Sequence, residues 1–312
     1  MRAVTIHDGD LSIDEHPDPE PGSGEVLIKV RAAGLNGADM HQRLGRYPAP
    51  PGSPQDIPGL ELAGEVIASG SNTFRFNVGD RVMGLVGGGG QAELATVHER
   101  QLIPVPDSLS WPEAGGAPET FTTAHDAIFT QCNLQSGERL LVHGGAGGVG
   151  TSAIQLGTMA GAQVFATVRN EDLRDEVAQL GATVLAPEEF TDHGPFDVIL
   201  ELVGAPNLQQ NVNALNTLGR IVVIGIGAGA KAEINLGVLM GKRGRIFAST
   251  IRPRPLEEKA MTARAFERSV LPHLASGAVK VPIADTYPLD EVNAAYDRFT
   301  AGGKLGKIVL TI

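Results

Sequence analysis

The spacing of apolar residues divides the chain into two parts with different rhythms. Up to about residue 110, short apolar runs end at Gly, Pro, Ser or Asn and predict strands at residues 25–30, 62–67, 78–83 and 92–97. Short strands at this spacing are typical of a β-rich, barrel-like or sandwich unit. From about residue 115, apolar runs alternate with segments of helical length, which predicts an α/β unit with a doubly wound parallel sheet.

The second part is predicted to contain six strands, at residues 139–143, 163–168, 183–185, 196–202, 220–225 and 245–249. Residues 307–312 return to strand character, and we expect them to rejoin the first domain. The predicted organisation is therefore a β-rich domain of residues 1–115 and 272–312 and a dinucleotide-type domain of residues 116–271.

A glycine cluster follows the first of these six strands. Gly145, Gly147 and Gly150 form G-x-G-x-x-G, a second register starts at Gly144, and apolar residues then recur at helical spacing. Between a strand and a helix, such glycines permit a tight turn and let backbone approach a pyrophosphate, which the helix N-terminus attracts. The predicted phosphate-binding loop comprises Gly144, Gly145, Ala146, Gly147, Gly148 and Val149; the alternative is an ordinary flexible turn.

Composition excludes several classes of function. The formal charge of −11 gives no general support for binding nucleic acid or an anionic membrane surface. One cysteine, Cys132, permits no intrachain disulfide and favours a reducing compartment, so we expect a cytoplasmic protein with a buried, inert thiol. No apolar stretch approaches the ~20 residues of a membrane span.

Five motifs then occur in the order found in medium-chain dehydrogenases/reductases. They lie at residues 33–39, 58–66, 79–82 and 90–93 and at the glycine loop. The chain most closely resembles the zinc-independent, zeta-crystallin-like quinone oxidoreductases, and residues 35–47 are similar to the p53-inducible branch. The resemblance implies a GroES-like catalytic domain, a Rossmann domain and a nicotinamide cofactor.

The resemblance also implies that no metal takes part. Zinc alcohol dehydrogenases of this superfamily carry a cysteine and a histidine where this chain has Asn36 and Leu60, and catalytic zinc needs three protein ligands. The candidate catalytic residues are Asn36 and Thr122, as hydrogen-bond donors, and Tyr47, as a stacking or donor group. Their structural alternatives are a turn residue, a helix cap and a loop anchor, respectively.

The cofactor is predicted to be NADPH. NAD sites place an acid at the end of the second strand, whereas this strand is followed by Arg169 and Asn170. Arg169 suits a 2′-phosphate or a stacking contact with adenine, and the alternative is a solvated arginine at a helix start. The family's usual lysine and tyrosine are missing, with Leu173 at the lysine position. Further cofactor contacts are expected at glycines that follow the fourth and fifth strands, namely Gly204, Gly225 and Gly227, for which a plain turn at the strand end is the alternative.

Three functions follow in order of preference. The first is NADPH-dependent reduction of quinones by hydride transfer. The second is reduction of an enone or enoyl thioester, which needs a positioned acid such as Tyr47. The third is an NADPH-binding regulatory protein with little catalysis. The resemblance further implies a homodimer that pairs through the strand near residues 245–249.

Overall fold

The computed structural model describes all 312 residues, which form two compact units. The first unit comprises residues 1–122, 251–302 and 307–312, and the second comprises residues 123–250 and 303–306. No helix combines the length and the apolar character that crossing a bilayer requires.

The first unit contains a mostly antiparallel sheet of seven strands and a separate two-stranded hairpin. Its strands are β1 (Arg2–His7), β2 (Asp10–Glu15), β3 (Glu25–Gly34), β4 (Glu61–Ser69), β5 (Arg81–Leu85), β6 (Leu94–His98), β7 (Leu102–Pro104), β14 (Ile283–Pro288) and β15 (Lys307–Thr311). Strands β14, β15, β3, β4, β5 and β7 are neighbours in that order, β6 also pairs with β3, and β1 and β2 form a separate hairpin. Its helices are α1 (Gly37–Arg43), α2 (Trp111–Gly116), α8 (Leu256–Ser269), α9 (Leu271–Ala275) and α10 (Val292–Ala301).

The second unit is a six-stranded parallel sheet. Its strands are β8 (Arg139–His143), β9 (Gln163–Thr167), β10 (Thr183–Leu185), β11 (Phe196–Glu201), β12 (Leu215–Val223) and β13 (Arg245–Ala248). Its helices are α4 (Gly148–Met159), α5 (Arg174–Ala178), α6 (Leu208–Asn213) and α7 (Leu236–Lys242), and α3 (Pro118–His125) runs across the boundary between the units.

The strand order of the second unit is β10-β9-β8-β11-β12-β13. In order of the chain this is 3-2-1-4-5-6, the order of a Rossmann fold, whose ligands bind where the order reverses between β8 and β11. The predicted doubly wound sheet is therefore confirmed. All six strands fall where the apolar runs predicted them, although β12 begins at Leu215 rather than at residue 220.

Two further boundaries, both in the first unit, also differ from the sequence-based expectation. The strand predicted at residues 78–83 begins only at Arg81, because Gly79 adopts a positive φ of 96° and Val78 is exposed. The chain also returns to the first unit at residue 251 rather than 272. Helix α8 belongs to the first unit because its apolar face is buried there, with Phe266 meeting Phe121 edge to face at 6.4 Å.

Candidate cofactor and active site

The glycine loop is closely packed rather than flexible. Gly144 adopts a φ of +72°, and the Gly147 N–H donates to its carbonyl at 3.1 Å. A Cβ on Gly150 would lie 2.3 Å from the Gly144 oxygen, and one on Gly145 would lie 2.9 Å from the Ala166 side chain. Because backbone cannot move away cheaply, Gly150 admits no larger residue. A Cβ on Gly147 would meet only one atom, at 3.5 Å, which leaves that side of the turn open.

Helix α4 starts directly from this turn with its first amides unused. Its N-cap is Gly147, no side chain caps it, and the N–H groups of Gly148, Val149 and Gly150 have no acceptor within the protein. A helix of 12 residues adds the positive end of its dipole at this point. These amides fit the pyrophosphate of a dinucleotide, as the sequence predicted.

A short segment near the C-terminus packs against the same loop. The Gly306 N–H donates to the Ala146 carbonyl at 2.8 Å, and the Lys304 ammonium donates to the Gly306 carbonyl at 3.1 Å. Sequence reasoning missed this neighbour. The segment is separated from the loop by more than 150 residues of chain, so no local pattern could have revealed it.

The end of β9 carries no acidic side chain. Arg169 is exposed, and its guanidinium makes neither a hydrogen bond nor an ion pair, whereas Asn170 accepts from the Asp172 N–H at 3.2 Å. Arg174 donates to the Val168 carbonyl and lies 4.0 Å from Glu171. Arg169 is thus the cation left available at this strand end.

The predicted glycines after β11 and β12 bring two loops into contact. Gly204 adopts a φ of +121°, and a Cβ on Gly225 would lie 2.2 Å from the Leu202 carbonyl oxygen. Gly227, by contrast, has nothing within 4 Å of its Cβ position. Packing between the loops accounts for Gly225, and the open surface beside Gly227 leaves room for a ligand to approach.

A buried polar network joins the glycine loop to the loop after β11. Glu201, fully buried, accepts from the N–H groups of Val203 at 2.6 Å and Gly204 at 2.8 Å, and from the Asn211 amide at 2.7 Å. Asn211 in turn accepts from Nε2 of His143, whose Nδ1 lies 3.0 Å from the Thr167 hydroxyl.

The ionisation of this network follows from its burial. Burial lowers the pKa of His143, although the carboxylate of Glu201 raises it in opposition, and the neutral ring matches one donor and one acceptor nitrogen. The sequence gives one indication of this hydrogen-bond network, namely that His143 directly precedes Gly144 of the glycine loop.

Asn36 is fully engaged within the first unit. Its amide donates to the Glu61 carboxylate at 3.0 Å and to the Gly34 carbonyl at 3.2 Å, and its oxygen accepts from Lys307 at 2.7 Å. Lys307 also forms a buried ion pair with Glu61 at 2.6 Å. With both amide hydrogens used, Asn36 has none left for a substrate carbonyl, which corrects the predicted donor role and makes it a positioning residue.

Tyr47 lies on a loop that hydrogen bonds from the buried Arg252 side chain hold in place. The Arg252 guanidinium stands 5.1 Å from the Tyr47 ring and donates to its backbone carbonyl at 3.0 Å, to the Gly87 carbonyl at 2.7 Å and to the Gln42 amide oxygen at 2.5 Å. Burial raises the pKa of Tyr47, and its hydroxyl makes no hydrogen bond. The phenol is therefore protonated and available as a donor. Arg252 had no recognisable signal in the sequence.

Thr122 and Cys132 complete the predicted residues. Thr122 lies in α3, only 4% exposed, with a hydroxyl that has no partner in the protein. Cys132 is buried, as expected, and burial raises the pKa of its thiol to about 12, which disfavours the reactive thiolate.

Comparison with known proteins identifies the family. The alcohol dehydrogenase GroES-like domain matches residues 22–107, and the family described as zinc-binding dehydrogenase matches residues 148–267. The quinone oxidoreductase of Mus musculus is 31% identical over 309 residues, covering 94% of this chain and 91% of that protein. The chain belongs to the quinone oxidoreductase family. It is an oxidoreductase of the medium-chain dehydrogenase/reductase superfamily.

Solved structures agree with this assignment. A quinone oxidoreductase from Pseudomonas syringae pv. Tomato superposes with a TM-score of 0.88 at 26% identity, covering 100% of this chain and 99% of that one. A mycobacterial protein solved in complex with NADPH also gives 0.88, at 27% identity and full coverage of both chains.

A second kind of relative is a polyketide synthase. A phenolphthiocerol/phthiocerol polyketide synthase from Mycobacterium tuberculosis is 28% identical over 312 residues. The match covers 97% of this chain but 14% of that much longer protein. This chain is thus also similar to one segment of a far larger synthase.

Proposed function

We propose that this protein reduces quinones with NADPH by direct hydride transfer and without zinc. The observation that carries the proposal is the uncapped N-terminus of α4, whose amides of Gly148, Val149 and Gly150 lie behind a turn that only glycine can form. The cofactor supplies the hydride when it is bound. The protein contributes orientation and the exclusion of water.

The choice of NADPH depends on Arg169. Its guanidinium has no protein partner at the end of β9, where an NAD enzyme would carry an acid to accept from the ribose hydroxyl. A guanidinium offers paired donors that suit the 2′-phosphate. The NADPH-bound mycobacterial relative supports the same choice.

Independence from zinc is supported by the donor set. No group of three or more His, Cys, Asp or Glu side chains is arranged to hold a metal ion. Leu60, where the zinc enzymes carry histidine, is 4% exposed and has no ligating atom. Quinones suit such a site, because the hydroquinone anion is stabilised by its own ring and takes its proton from solvent.

The second candidate is a reductase of enones or enoyl thioesters, which the similarity to a polyketide synthase favours. That reaction must protonate a carbon atom, and the free Tyr47 hydroxyl is a donor of suitable chemistry. The third candidate, an NADPH-binding protein with little catalysis, predicts tight binding and no turnover of any acceptor.

One assay distinguishes these candidates. We would follow oxidation of NADPH and of NADH with 1,2- and 1,4-quinones and with an enoyl thioester. Quinone turnover with NADPH preferred supports the proposal, whereas turnover of the thioester alone supports the second candidate. An Arg169→Glu variant should lose at least tenfold in affinity for NADPH while NADH binding changes little; Arg268→Ala, on an exposed part of α8, is the control. Equal use of NADH and NADPH by the unmodified protein would remove the role of Arg169.

A Tyr47→Phe variant tests whether the Tyr47 hydroxyl donates the proton in the reduction of enoyl thioesters. The variant should keep quinone turnover and lose turnover of enoyl thioesters, because only the second reaction needs a positioned proton donor. Equal loss of both activities would show that Tyr47 acts through packing of its ring.

A further inference from the structure

Residues 303–306, which belong to the second unit, lie along two parts of its candidate cofactor site. At the end of this segment, Gly306 forms a single parallel bridge with Gly147, the N-cap of α4, and its N–H donates to the glycine loop at 2.8 Å. At its start, a Cβ on Gly303 would lie 3.6 Å from the side-chain nitrogen of Asn170, which follows β9. The segment therefore runs from the end of β9 to the glycine loop.

The path of this segment brings the Lys304 ammonium toward the start of α4. Gly303 and Gly306 adopt φ values of +61° and +79°, in the left-handed region that favours glycine. Lys304 lies between them and is only partly exposed, and its ammonium donates to the Gly306 carbonyl at 3.1 Å. The ammonium is thus bonded to the residue that is itself paired with the N-cap of α4.

The glycine loop and its flanking elements carry no ionic side chain of their own. Residues 140–168, which span β8, the loop, α4 and β9, include no Asp, Glu, Lys or Arg, and burial lowers the pKa of His143. The dipole of α4 contributes about half an elementary charge at its N-terminus. A pyrophosphate diester carries a full negative charge on each phosphate, so a cation from outside this stretch is needed to balance it. Lys304 is the cation that residues 303–306 bring to the loop.

Arg169 is suited to a different part of the cofactor. It follows β9, where a dinucleotide enzyme recognises the ribose hydroxyl or the 2′-phosphate. Lys304, by contrast, is tied to the turn whose amides face the pyrophosphate. The two cations should therefore have separable effects on the binding of NADPH and NADH.

We propose that Lys304 binds the pyrophosphate of the dinucleotide and sets the affinity for cofactor without contributing to the choice between NADPH and NADH. The inference rests on the proposed function, because it requires a dinucleotide at the glycine loop. It divides recognition between two cations from distant parts of the chain. The Lys304 ammonium recognises the pyrophosphate that both cofactors share, and Arg169 recognises the 2′-phosphate that only NADPH carries.

The experiment measures binding of three ligands in the absence of any electron acceptor. Fluorescence titration gives Kd for NADPH and NADH, and calorimetry gives Kd for ADP-ribose, which has the pyrophosphate but neither the nicotinamide nor the 2′-phosphate. Lys304→Met removes the charge at similar length, Lys304→Arg retains it, and Lys29→Met removes an exposed lysine of β3 as a control. These measurements stand whether or not the protein reduces quinones.

Lys304→Met should raise Kd for NADPH, NADH and ADP-ribose by roughly tenfold or more, while the ratio of Kd for NADH to Kd for NADPH changes less than about twofold. Lys304→Arg should recover most of the affinity, and Lys29→Met should resemble the unmodified protein. Without ligand, Lys304→Met should melt within about 3 °C of the unmodified protein, because the role is in binding. Arg169→Glu should instead change the ratio and leave ADP-ribose binding nearly unaltered.

Three results would overturn the inference. A loss confined to NADPH would assign Lys304 to the 2′-phosphate rather than to the pyrophosphate. Unchanged affinity of Lys304→Met for all three ligands would remove its role while leaving the proposed function intact. Failure of the unmodified protein to bind any of the three ligands would overturn the proposed function and this inference together.

Discussion

Substitution of Glu201 tests whether the buried hydrogen-bond network stabilises the glycine loop and the loop after β11 at the edge of the parallel sheet. Truncation in Glu201→Ala removes the acceptor for four donors. The N–H groups of Val203 and Gly204 and the amide of Asn211 lie 2.6–2.8 Å from the carboxylate, and the amide of Asn207 lies at 3.4 Å. Each donor left without a partner in a buried site costs about 1–3 kcal/mol. Val203 and Asn207 are only partly buried and regain water, so we expect a loss near the lower end of the sum, about 3–5 kcal/mol in the free energy of unfolding.

The Glu201→Gln variant should cost less stability than Glu201→Ala, because it keeps most of the hydrogen bonds. The glutamine oxygen still accepts from the two backbone N–H groups, but its amide now faces the amide of Asn211. A flip of Asn211 restores that bond, and His143 accommodates the flip by shifting its proton from Nε2 to Nδ1, where the Thr167 hydroxyl accepts it. The expected cost is therefore below about 1.5 kcal/mol, the value of one ordinary hydrogen bond.

Urea unfolding followed by circular dichroism measures both costs, and fluorescence titration with NADPH measures the effect on the loops. We expect Glu201→Ala to weaken NADPH binding at least tenfold and Glu201→Gln to change it by less than threefold. Glu233→Ala, at an exposed position of the same unit, should stay within about 0.5 kcal/mol. A cost below about 1 kcal/mol for Glu201→Ala, or equal costs for the two variants, would refute the reasoning.

Three further predictions concern other parts of the molecule. Gly150→Ala should weaken NADPH binding at least tenfold by fluorescence titration, because its Cβ would meet the Gly144 oxygen at 2.3 Å, whereas Gly241→Ala, with nothing within 4 Å, should not. Burial raises the pKa of Asp39 to about 7 from 3.8, so ionising this side chain destabilises the fold; unfolding free energy should fall by up to ~4 kcal/mol as pH rises from 4 to 8, and Asp39→Asn should abolish that fall. Strand β13 forms one edge of its sheet, so light scattering at micromolar concentration should show a dimer, and a monomer would contradict the pairing.

The sequence alone determined the architecture of the second unit and indicated where its candidate phosphate site lies. Strand, glycine turn and helix are encoded within residues 139–168, and the properties that reveal them, apolar periodicity and glycine spacing, act between near neighbours in the chain. Family motifs extended this to the first unit and to the absence of zinc-type ligands at Asn36 and Leu60.

Only the tertiary structure decided which polar groups remain available for chemistry. Asn36 is engaged by Glu61 and Lys307, which the sequence places 25 and 271 residues away, so its predicted donor role is lost. Arg169 looks like an ordinary surface residue in the sequence, yet its guanidinium lacks a partner in the folded chain. Whether a side chain is satisfied depends on contacts between distant segments and on the solvent they exclude, and neither property is written in local sequence.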